Sequence, residues 1–370
     1  MEHHHEKPKK IDKAYLASVI LLTVGGFFVF SSASLGLLAR NGEIFQSVTL
    51  TQSIGLLLGI AAFWVMSFIH YKKLRTYSFY IFIFALILNL LLFIPGLSLS
   101  HGGAARWIDL KFVTFQPSEF LKIAFIIYFA AWLASVKEKI TTFRFGIVPY
   151  IVLMGILGLL LLSQSDTDTL VVIAGTGIAM LFAAGARIRY IAAMVLVLAV
   201  VVAGVAYMRP YVRARIMTFI NPTADLQGSG YQINQSLIAI GSGRIAGRGY
   251  GQSVQKFNYL PEPIGDSIFA VEAEEFGFIG SLILIGLFLL FAFRSFKIAT
   301  RSTDTFGGLV VMGIAILTIV ESFMNISSML GIIPLSGMPL LFVSHGGTAL
   351  IIILGAAGII ANISKYQKTL

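Results

Sequence analysis

The sequence contains no cysteine and little charge, and both absences exclude classes of protein. Without cysteine the chain has no disulfide, no thiolate metal site and no cysteine nucleophile. Only 12% of its 370 residues are charged, whereas 57% are hydrophobic and the mean hydropathy is +0.87. This composition excludes a soluble globular protein and predicts an all-α, polytopic integral membrane protein.

No cleavable signal peptide is evident at the start of the chain, because the first apolar run is long enough to span a membrane and no small-residue cleavage site follows it. We therefore expect that run to remain as the first helix. Residues 1–13 form a polar tail that carries His3, His4 and His5. The three histidines fit a weak metal site or a fragment of a tag, but a solvated tail is the favoured interpretation.

Runs of about 20 apolar residues, the length that crosses a bilayer, predict ten transmembrane helices. They lie near residues 14–38, 49–69, 77–95, 118–136, 146–163, 168–186, 190–207, 267–293, 306–325 and 346–364. We see no internal repeat and no second domain, so residues 14–365 form one membrane domain and residues 366–370 a short tail.

The distribution of basic residues predicts the orientation of these helices. With both termini in the cytoplasm, 17 of the 27 Lys and Arg residues fall on the inner side and nine on the outer side, and Lys122 lies within a helix. This bias agrees with the positive-inside rule. Membrane topology thus accounts for most of the net charge of +10, and no nucleic acid is expected as a partner. The acidic residues lie mainly outside, which predicts chemistry on the outer face.

One long outer segment, residues 208–265, separates the seventh and eighth predicted spans. Its length exceeds ordinary connections several-fold, and its composition favours order. Apolar and polar residues alternate from Tyr231 as in a short amphipathic helix that lies in the membrane interface. A glycine-rich stretch follows, which suits turns and close backbone approach.

The strongest functional candidate is the stretch YLPEPIGDSIFAVEAEEFG, residues 259–277. It carries five of the 17 acidic residues and runs, in this prediction, without a break into an apolar helix. Ionised carboxylates are costly at such a depth unless they face water or cations, so the cluster predicts a functional site. Carboxylates that are merely solvated at a helix start are the alternative.

A second candidate precedes the fourth predicted helix in HGGAARWIDLKFVTFQPSEFLK. Pro117 suits the first turn of that helix, and Glu119 and Lys122 share one of its faces. They form either part of a substrate site or a buried structural ion pair. Arg106, beside Trp107, is either an interfacial anchor or an anion-binding residue, and the second interpretation is slightly favoured.

Two further segments have weaker signals. Asp166 and Asp168 lie between two predicted helices, where a solvated turn is the more ordinary interpretation, and Asp225 has a weaker claim still. Between Asn325 and residue 350, prolines and glycines interrupt an apolar run; broken backbone at membrane depth predicts an element that lines a cavity. His345 within it is more often structural than catalytic.

Three motifs together resemble the SEDS family (shape, elongation, division and sporulation), whose members include RodA and FtsW. They are GGAARW with QPSEFLK, the YLPEPIGDSIFAVEAEEFG stretch after GSGRIAGRGYGQSVQK, and GIIPLSGMPLLFVSHGGTAL. The SVQK and YLPE motifs are closer in sequence to those of FtsW than to those of RodA. The resemblance covers almost the whole chain. It implies a peptidoglycan glycosyltransferase that polymerises lipid II on the outer face of the cytoplasmic membrane, beside a class B penicillin-binding protein.

The resemblance also implies roles for particular residues. Asp266 falls on the essential aspartate of the family and would be the general base. The substrate-binding candidates are Arg106, Glu119, Lys122, Lys256, Glu262 and Arg248. Arg244 is a further candidate cation, and Arg244 and Arg248 have the least support. No metal ligand is indicated and no cofactor is required, although a divalent cation that assists the departure of pyrophosphate stays open. Divisome or elongasome membrane proteins are further expected partners.

The sequence departs from the family pattern at several positions near these motifs. Ser165 and Asp168 stand where proline and glycine are usual, and His345 replaces a tyrosine. Gly265 and Ser267 flank the aspartate, Arg244 replaces a glycine and Glu272 replaces an aliphatic residue. We expect these departures to affect the details of substrate contact more than the reaction that is catalysed.

Two other functions use the same residues differently. A flippase for lipid II or a similar polyprenyl-linked saccharide would use the charges to hold the head group during transport. Transporters place their sites near the midplane, often among inverted repeats, whereas the candidates here lie at the outer face. A scaffold without chemistry of its own would leave the outer carboxylates unexplained.

Overall fold

The computed structural model describes residues 10–101, 104–109, 114–221 and 229–368. Its α-helices are α1 (Lys13–Arg40), α2 (Gly42–Phe68), α3 (Tyr71–Leu90), α4 (Pro117–Ser135), α5 (Val148–Ser163), α6 (Thr167–Ala183), α7 (Ile188–Met208), α8 (Pro210–Ile220), α9 (Ser229–Gly243), α10 (Ile268–Thr300), α11 (Thr305–Met329) and α12 (Gly347–Ser364). Three short strands, β1 (Ser98–His101), β2 (Ala104–Asp109) and β3 (Thr114–Phe115), lie between α3 and α4.

In the described ranges, nine helices are long and apolar enough to cross a membrane. The sixth predicted span is the shorter apolar helix α6, which has 17 residues. At 1.5 Å per residue it is about 26 Å long, close to the thickness of the hydrocarbon core. The chain is therefore a multi-pass helical membrane protein, as its composition predicts.

Close contacts between glycine and backbone hold α2 against α12. The first carbon of a side chain at Gly55 would lie 2.8 Å from Gly347 Cα, and one at Gly358 would overlap the carbonyl of Phe63. Without a hydrophobic driving force inside lipid, helices associate through packing, and small residues allow their backbones to approach. These glycines therefore allow α2 and α12 to pack with their backbones in close contact.

The small sheet was not predicted from the sequence. Strands β1, β2 and β3 pair antiparallel in that order, with Leu99 opposite Trp107 and Ile108 opposite Phe115. The strands have two to six residues, too few for a clear alternation of polar and apolar positions. The sheet places Arg106 at the same end of the bundle as the start of α4.

The long segment between α7 and α10 contains two short helices. The predicted amphipathic helix is confirmed as α9, which buries Ile233, Ser236 and Ala239. It packs on α10, because a side chain at Gly243 would overlap the carbonyl of Ala273. Helix α8 was not predicted, and Asp225 lies outside the described residues.

The expectation of an unbroken helix after Glu275 was wrong. Gly277, inside α10, has φ 66° and ψ −165°, a backbone conformation that is essentially restricted to glycine. The interruption frees backbone groups, and the preceding loop binds them. Phe278 N donates to Arg244 O at 2.9 Å and Ile279 N donates to Ile245 O at 3.1 Å.

The same loop also binds carbonyls before the interruption. Arg248 N donates to Glu274 O at 3.0 Å, and Gly249 N donates to Glu275 O at 2.9 Å. A side chain at Gly247 would overlap the carbonyl of Glu275, so this approach requires a glycine. Loop residues 244–249 therefore complete the hydrogen bonding that the broken helix lacks.

Residues 330–346, between α11 and α12, contain no helix. The prediction that prolines and glycines interrupt this region is thus confirmed. The segment packs against the residues that precede α10, as hydrogen bonds described below show.

Candidate active site

Asp266 lies half-buried immediately before α10, where four parts of the chain meet. Gly337, in the segment 330–346, lies close to the charged side chains of the site. A side chain at this glycine would place its first carbon 3.5 Å from Arg215 Nη2, 3.7 Å from Asp266 Oδ2 and 3.9 Å from Asp168 Oδ2. Two carboxylates and a guanidinium therefore surround the space that the glycine leaves open.

Arg215, on α8, is a site residue that the sequence analysis missed. Its Nη1 lies 2.9 Å from Asp168 Oδ2, and its guanidinium stacks 4.3 Å from the centre of the Tyr211 ring. Gly337 N also donates to Asp168 Oδ2, at 3.2 Å. Asp168, for which a solvated turn was the more ordinary interpretation, instead links α6 to α8 and to the segment 330–346.

Arg106 reaches the neighbouring residues at the start of α6. Its Nη1 lies 3.8 Å from Asp166 Oδ1, and its Nη2 donates to the carbonyl of Ser165. In the described part of the chain, Arg106 Nε and Asp166 Oδ2 are buried without a hydrogen-bond partner. Arg106 thus lies in a polar interior, and its role as an anion-binding residue stays a prediction.

The surroundings of Asp266 change its acidity. Burial raises the pKa of the Asp266 carboxyl from 3.8 to about 7, and the negative charges of Glu262 and Asp168 act in the same direction. The cations Arg215 and Arg106 oppose this shift of the pKa. A carboxyl with a pKa near neutrality can accept a proton and release it again, which general base catalysis requires.

No described residue donates a hydrogen bond to the Asp266 carboxylate. The turn before it is well defined, because Glu262 O accepts from Gly265 N at 3.0 Å and from Ser267 N at 3.2 Å. The Glu262 side chain is exposed, and its backbone has φ 46°. Glu262 thus lies close enough to Asp266 for its charge to act on that carboxyl, and its predicted binding of substrate stays a prediction.

Glu119 and Lys122 form a buried ion cluster with Glu321 of α11. Lys122 Nζ lies 2.8 Å from Glu119 Oε1 and 2.6 Å from Glu321 Oε2, and all three side chains are at most 4% exposed. Of the two interpretations left open by the sequence, this geometry favours the structural ion pair. A substrate role for Glu119 and Lys122 remains a prediction.

Lys256 is also neutralised within the protein. Its Nζ donates to Glu275 Oε1 at 2.7 Å and to Ser32 Oγ at 2.9 Å, at a contact between α1, α10 and the loop. The lysine side chain is 0% exposed. Its predicted binding of substrate would require this cluster to open.

Arg248 is more accessible, with a side chain that is 41% exposed. Its Nε lies 3.5 Å from Glu274 Oε1, while Glu274 also accepts from Ser253 Oγ at 2.6 Å and from Val254 N at 3.1 Å. Arg244 is exposed beside the interruption of α10. The five acidic residues of the stretch therefore differ in their surroundings. Glu262 and Asp266 lie at the site, and Glu274 and Glu275 hold the loop, whereas Glu272 accepts from Ser281 Oγ within α10 at 2.8 Å.

His345, at the end of the segment 330–346, contacts α2. Its Nδ1 is 3.2 Å from Gln52 Oε1, its ring stacks on Phe30 with centroids 5.7 Å apart, and burial lowers its pKa to about 4. These contacts fit the structural role that was favoured. Among the described residues, no group of three or more His, Asp and Glu side chains could hold a metal ion. A divalent cation that assists the departure of pyrophosphate stays a prediction.

The chain resembles characterised proteins along almost its entire length. A family model for FtsW, RodA and SpoVE, described as Cell cycle protein, matches residues 12–369. Stage V sporulation protein E of Bacillus subtilis is 36% identical over 356 residues, which are 95% of this chain and 96% of that protein. The probable peptidoglycan glycosyltransferase FtsW of Geobacter metallireducens is 38% identical over 353 residues, which are 95% of this chain and 94% of that protein.

Solved structures share the fold. A chain of a peptidoglycan synthase complex that coordinates polymerization and crosslinking superposes with a TM-score of 0.77 at 23% identity and covers 97% of this chain and 99% of that chain. The rod shape determining protein RodA of Thermus thermophilus gives a TM-score of 0.68 at 21% identity and covers 97% of this chain and 98% of that chain. Together with the matching family model and relatives, these findings show that the chain belongs to the SEDS family of FtsW, RodA and SpoVE.

Proposed function

We propose that this protein is a peptidoglycan glycosyltransferase that polymerises lipid II, with Asp266 as its general base. The observation that carries the proposal is the Asp266 carboxyl, whose pKa burial raises to about 7 and which lies beside Arg215 and Gly337. Relatives along the whole chain are named as glycosyltransferases of this kind, which supports the same reaction.

In this reaction the Asp266 carboxylate accepts the proton of the acceptor's 4-hydroxyl. The oxygen attacks the anomeric carbon of the donor sugar and forms the new glycosidic bond. The bond from that carbon to the pyrophosphate oxygen breaks, and its electron pair leaves with undecaprenyl pyrophosphate. The proton then passes from Asp266 to water, so that the base is restored for the next cycle.

Cations beside Asp266 would stabilise the charge that develops on the leaving pyrophosphate. Arg215 and Arg106 are the candidates, because both act on the Asp266 carboxyl electrostatically. Arg106 lies 3.8 Å from Asp166, and Arg215, although its Nη1 pairs with Asp168 at 2.9 Å, has its Nη2 beside Gly337. Guanidinium groups bind phosphate oxygens in a bidentate manner, and fixed charges act strongly where water is excluded. The lipid tails would lie between helices, in contact with the membrane.

The proposed setting follows from the charge distribution. Basic residues predict that the termini are cytoplasmic, so that Asp266 faces outward from the cytoplasmic membrane. We further propose a class B penicillin-binding protein as the partner that crosslinks the product. The similarity to a chain of a peptidoglycan synthase complex supports this partnership.

Polymerisation of purified lipid II by the detergent-solubilised protein, with and without a class B penicillin-binding protein, tests the function. We expect glycan strands from the wild type and none from Asp266→Asn. Glu43→Gln is a matched control, since Glu43 is an exposed carboxylate at the start of α2. Polymer from Asp266→Asn at the wild-type rate would refute the assignment of the base. If the wild type with its cognate partner makes none, the polymerase proposal fails and a lipid II flipping assay in liposomes tests the transport alternative.

A further inference from the structure

The backbone on the N-terminal side of α10 is held by three successive hydrogen bonds. The carbonyls of Ile264, Gly265 and Asp266 each accept one bond from a donor outside their own segment. The donors are His345 N at 2.7 Å, Ser344 Oγ at 2.8 Å and Asn325 Nδ2 at 2.7 Å, in that order. Three consecutive carbonyls are thus fixed by α11 and the segment 330–346.

Asn325 has a central place among these donors. Its Nδ2 donates both to Asp266 O and to Met338 O, at 2.7 Å and 2.8 Å, and the side chain is 0% exposed. Only a group with two N–H bonds can serve both carbonyls at once. The amide therefore ties the catalytic segment to residue 338, next to the glycine that leaves the site open.

Ser344 and Gln232 fix the same segment from two other sides. Ser344 Oγ, which donates to Gly265 O, also accepts from Leu340 N at 2.8 Å. Gln232 Nε2, on α9, donates to Ser267 Oγ at 3.0 Å. The residues on both sides of Asp266 are therefore anchored.

The direction of the Asp266 side chain depends on this backbone, because the described residues offer its carboxylate no hydrogen bond of its own. Catalytic groups must be held within about 0.5 Å of the productive geometry, and a displacement of about 1 Å can cost about 100-fold in rate. The carboxylate must also keep an oxygen free for the substrate. Backbone anchoring meets both requirements.

We propose that Asn325 is a positioning residue for Asp266, and that Ser344 assists it through the carbonyl of Gly265. This inference rests on the proposed function of Asp266 as the base. It assigns to α11 and to the segment 330–346 a role in catalysis that lining a cavity would not require. Because Asn325 acts through the backbone of Asp266, its loss should reduce turnover and leave lipid II binding unchanged.

Steady-state polymerisation of lipid II by Asn325→Ala, Ser344→Ala and Ser322→Ala tests the proposal. Ser322 is a matched control, because it lies on the same helix, three residues before Asn325, and its buried Oγ has no hydrogen-bond partner among the described residues. We expect kcat to fall about 10- to 100-fold in Asn325→Ala and less in Ser344→Ala. The KM for lipid II and the kcat of Ser322→Ala should stay near wild type.

Melting temperatures in detergent accompany these assays. If Asn325→Ala does not fold, Ser344→Ala carries the test, because it removes a single hydroxyl from the same backbone segment. Wild-type kcat in the folded variants, or a rise in KM without a change in kcat, would overturn the positioning role. Asp266→Asn is measured in the same assay. If this variant retains activity, the proposed role of Asp266 as the base is refuted. If it is inactive while Asn325→Ala and Ser344→Ala have wild-type kcat, only the positioning role is refuted.

Discussion

Lys256 and Glu275 form an ion pair of 2.7 Å in which both side chains are at most 1% exposed. Ser32 Oγ donates to both oxygens of the same carboxylate, at 2.6 Å and 2.7 Å, so the pair also fastens α1. A lysine that the family resemblance assigns to substrate is therefore used, in this structure, to hold the loop against α10.

Lys256→Met should lower the melting temperature of the detergent-solubilised protein. Removal of one partner leaves a buried charge on Glu275, which costs about 3–5 kcal/mol. The double variant Lys256→Met with Glu275→Gln should recover part of that loss, because no unpaired charge remains. If Lys256→Met melts like the wild type but no longer binds lipid II, the lysine serves substrate instead.

The Lys122 cluster gives a second stability prediction. Lys122→Ala would leave Glu119 and Glu321 buried and unneutralised, so we expect loss of expression or a marked fall in melting temperature. Lys122→Met combined with Glu119→Gln and Glu321→Gln should restore a folded protein. A folded Lys122→Ala variant with sharply reduced polymerisation would instead show that this cation acts on the substrate.

Gly277→Ala should destabilise the protein through backbone strain and through a steric clash with the loop. Its φ of 66° and ψ of −165° are unsuited to a residue with a side chain, at a cost of about 1–3 kcal/mol, and the added carbon would overlap Gly247 N. Gly286→Ala is the control on the same helix, because nothing lies within 4 Å of its added carbon. Equal melting temperatures for the two variants would contradict the interruption of α10.

Polymerisation should depend on pH through Asp266. Its pKa of about 7 lies above the ordinary value, so the base form is present above pH 7 and is lost as the pH falls. We expect kcat/KM to rise to a plateau above pH 8 and to be about tenfold lower one unit below the pKa. A flat profile between pH 5.5 and 8.5 would exclude this group as the base.

Neighbouring charges should move that profile in opposite directions. Glu262→Gln removes an anion that raises the pKa of Asp266, so the acid limb should shift to lower pH. Arg215→Gln removes a cation that lowers this pKa, so the limb should shift to higher pH. Because the substrate is the same in both assays, its own ionisation cannot produce opposite shifts.

Much of the fold follows from local sequence. Ten apolar runs predict ten helices, and Asp12, Asn41 and Asp304 each cap a helix as their residue types suggest. The interruption at Gly277 was not visible, because a single glycine in an apolar run is compatible with a continuous helix. Its cause is the backbone of residues 244–249, which is distant from Gly277 in sequence and contacts it only in the folded chain.

The site was predictable only in part. Asp266 is marked by its position in an acidic stretch at a membrane boundary, whereas nothing local marks Arg215, whose importance comes from its contact with Asp168 47 residues earlier. Lys256 illustrates the converse. Its position in the sequence matches a lysine that the family resemblance assigns to substrate. Its pairing with Glu275 can be seen only in the folded structure, where the loop packs against α1 and α10.

The interruption of α10 bears on how this chain enters a membrane. The 33 residues from Ile268 to Thr300 would extend about 50 Å as a helix, well beyond the roughly 30 Å of hydrocarbon. The apolar part after Gly277 is sufficient to span, so the insertion machinery need not accommodate Glu272, Glu274 and Glu275 in lipid. Glu274 and Glu275 instead bind residues 253–256 of the loop, and Glu272 accepts from Ser281 Oγ on α10 itself. The acidic half of the helix is therefore complete only when that loop has packed against it.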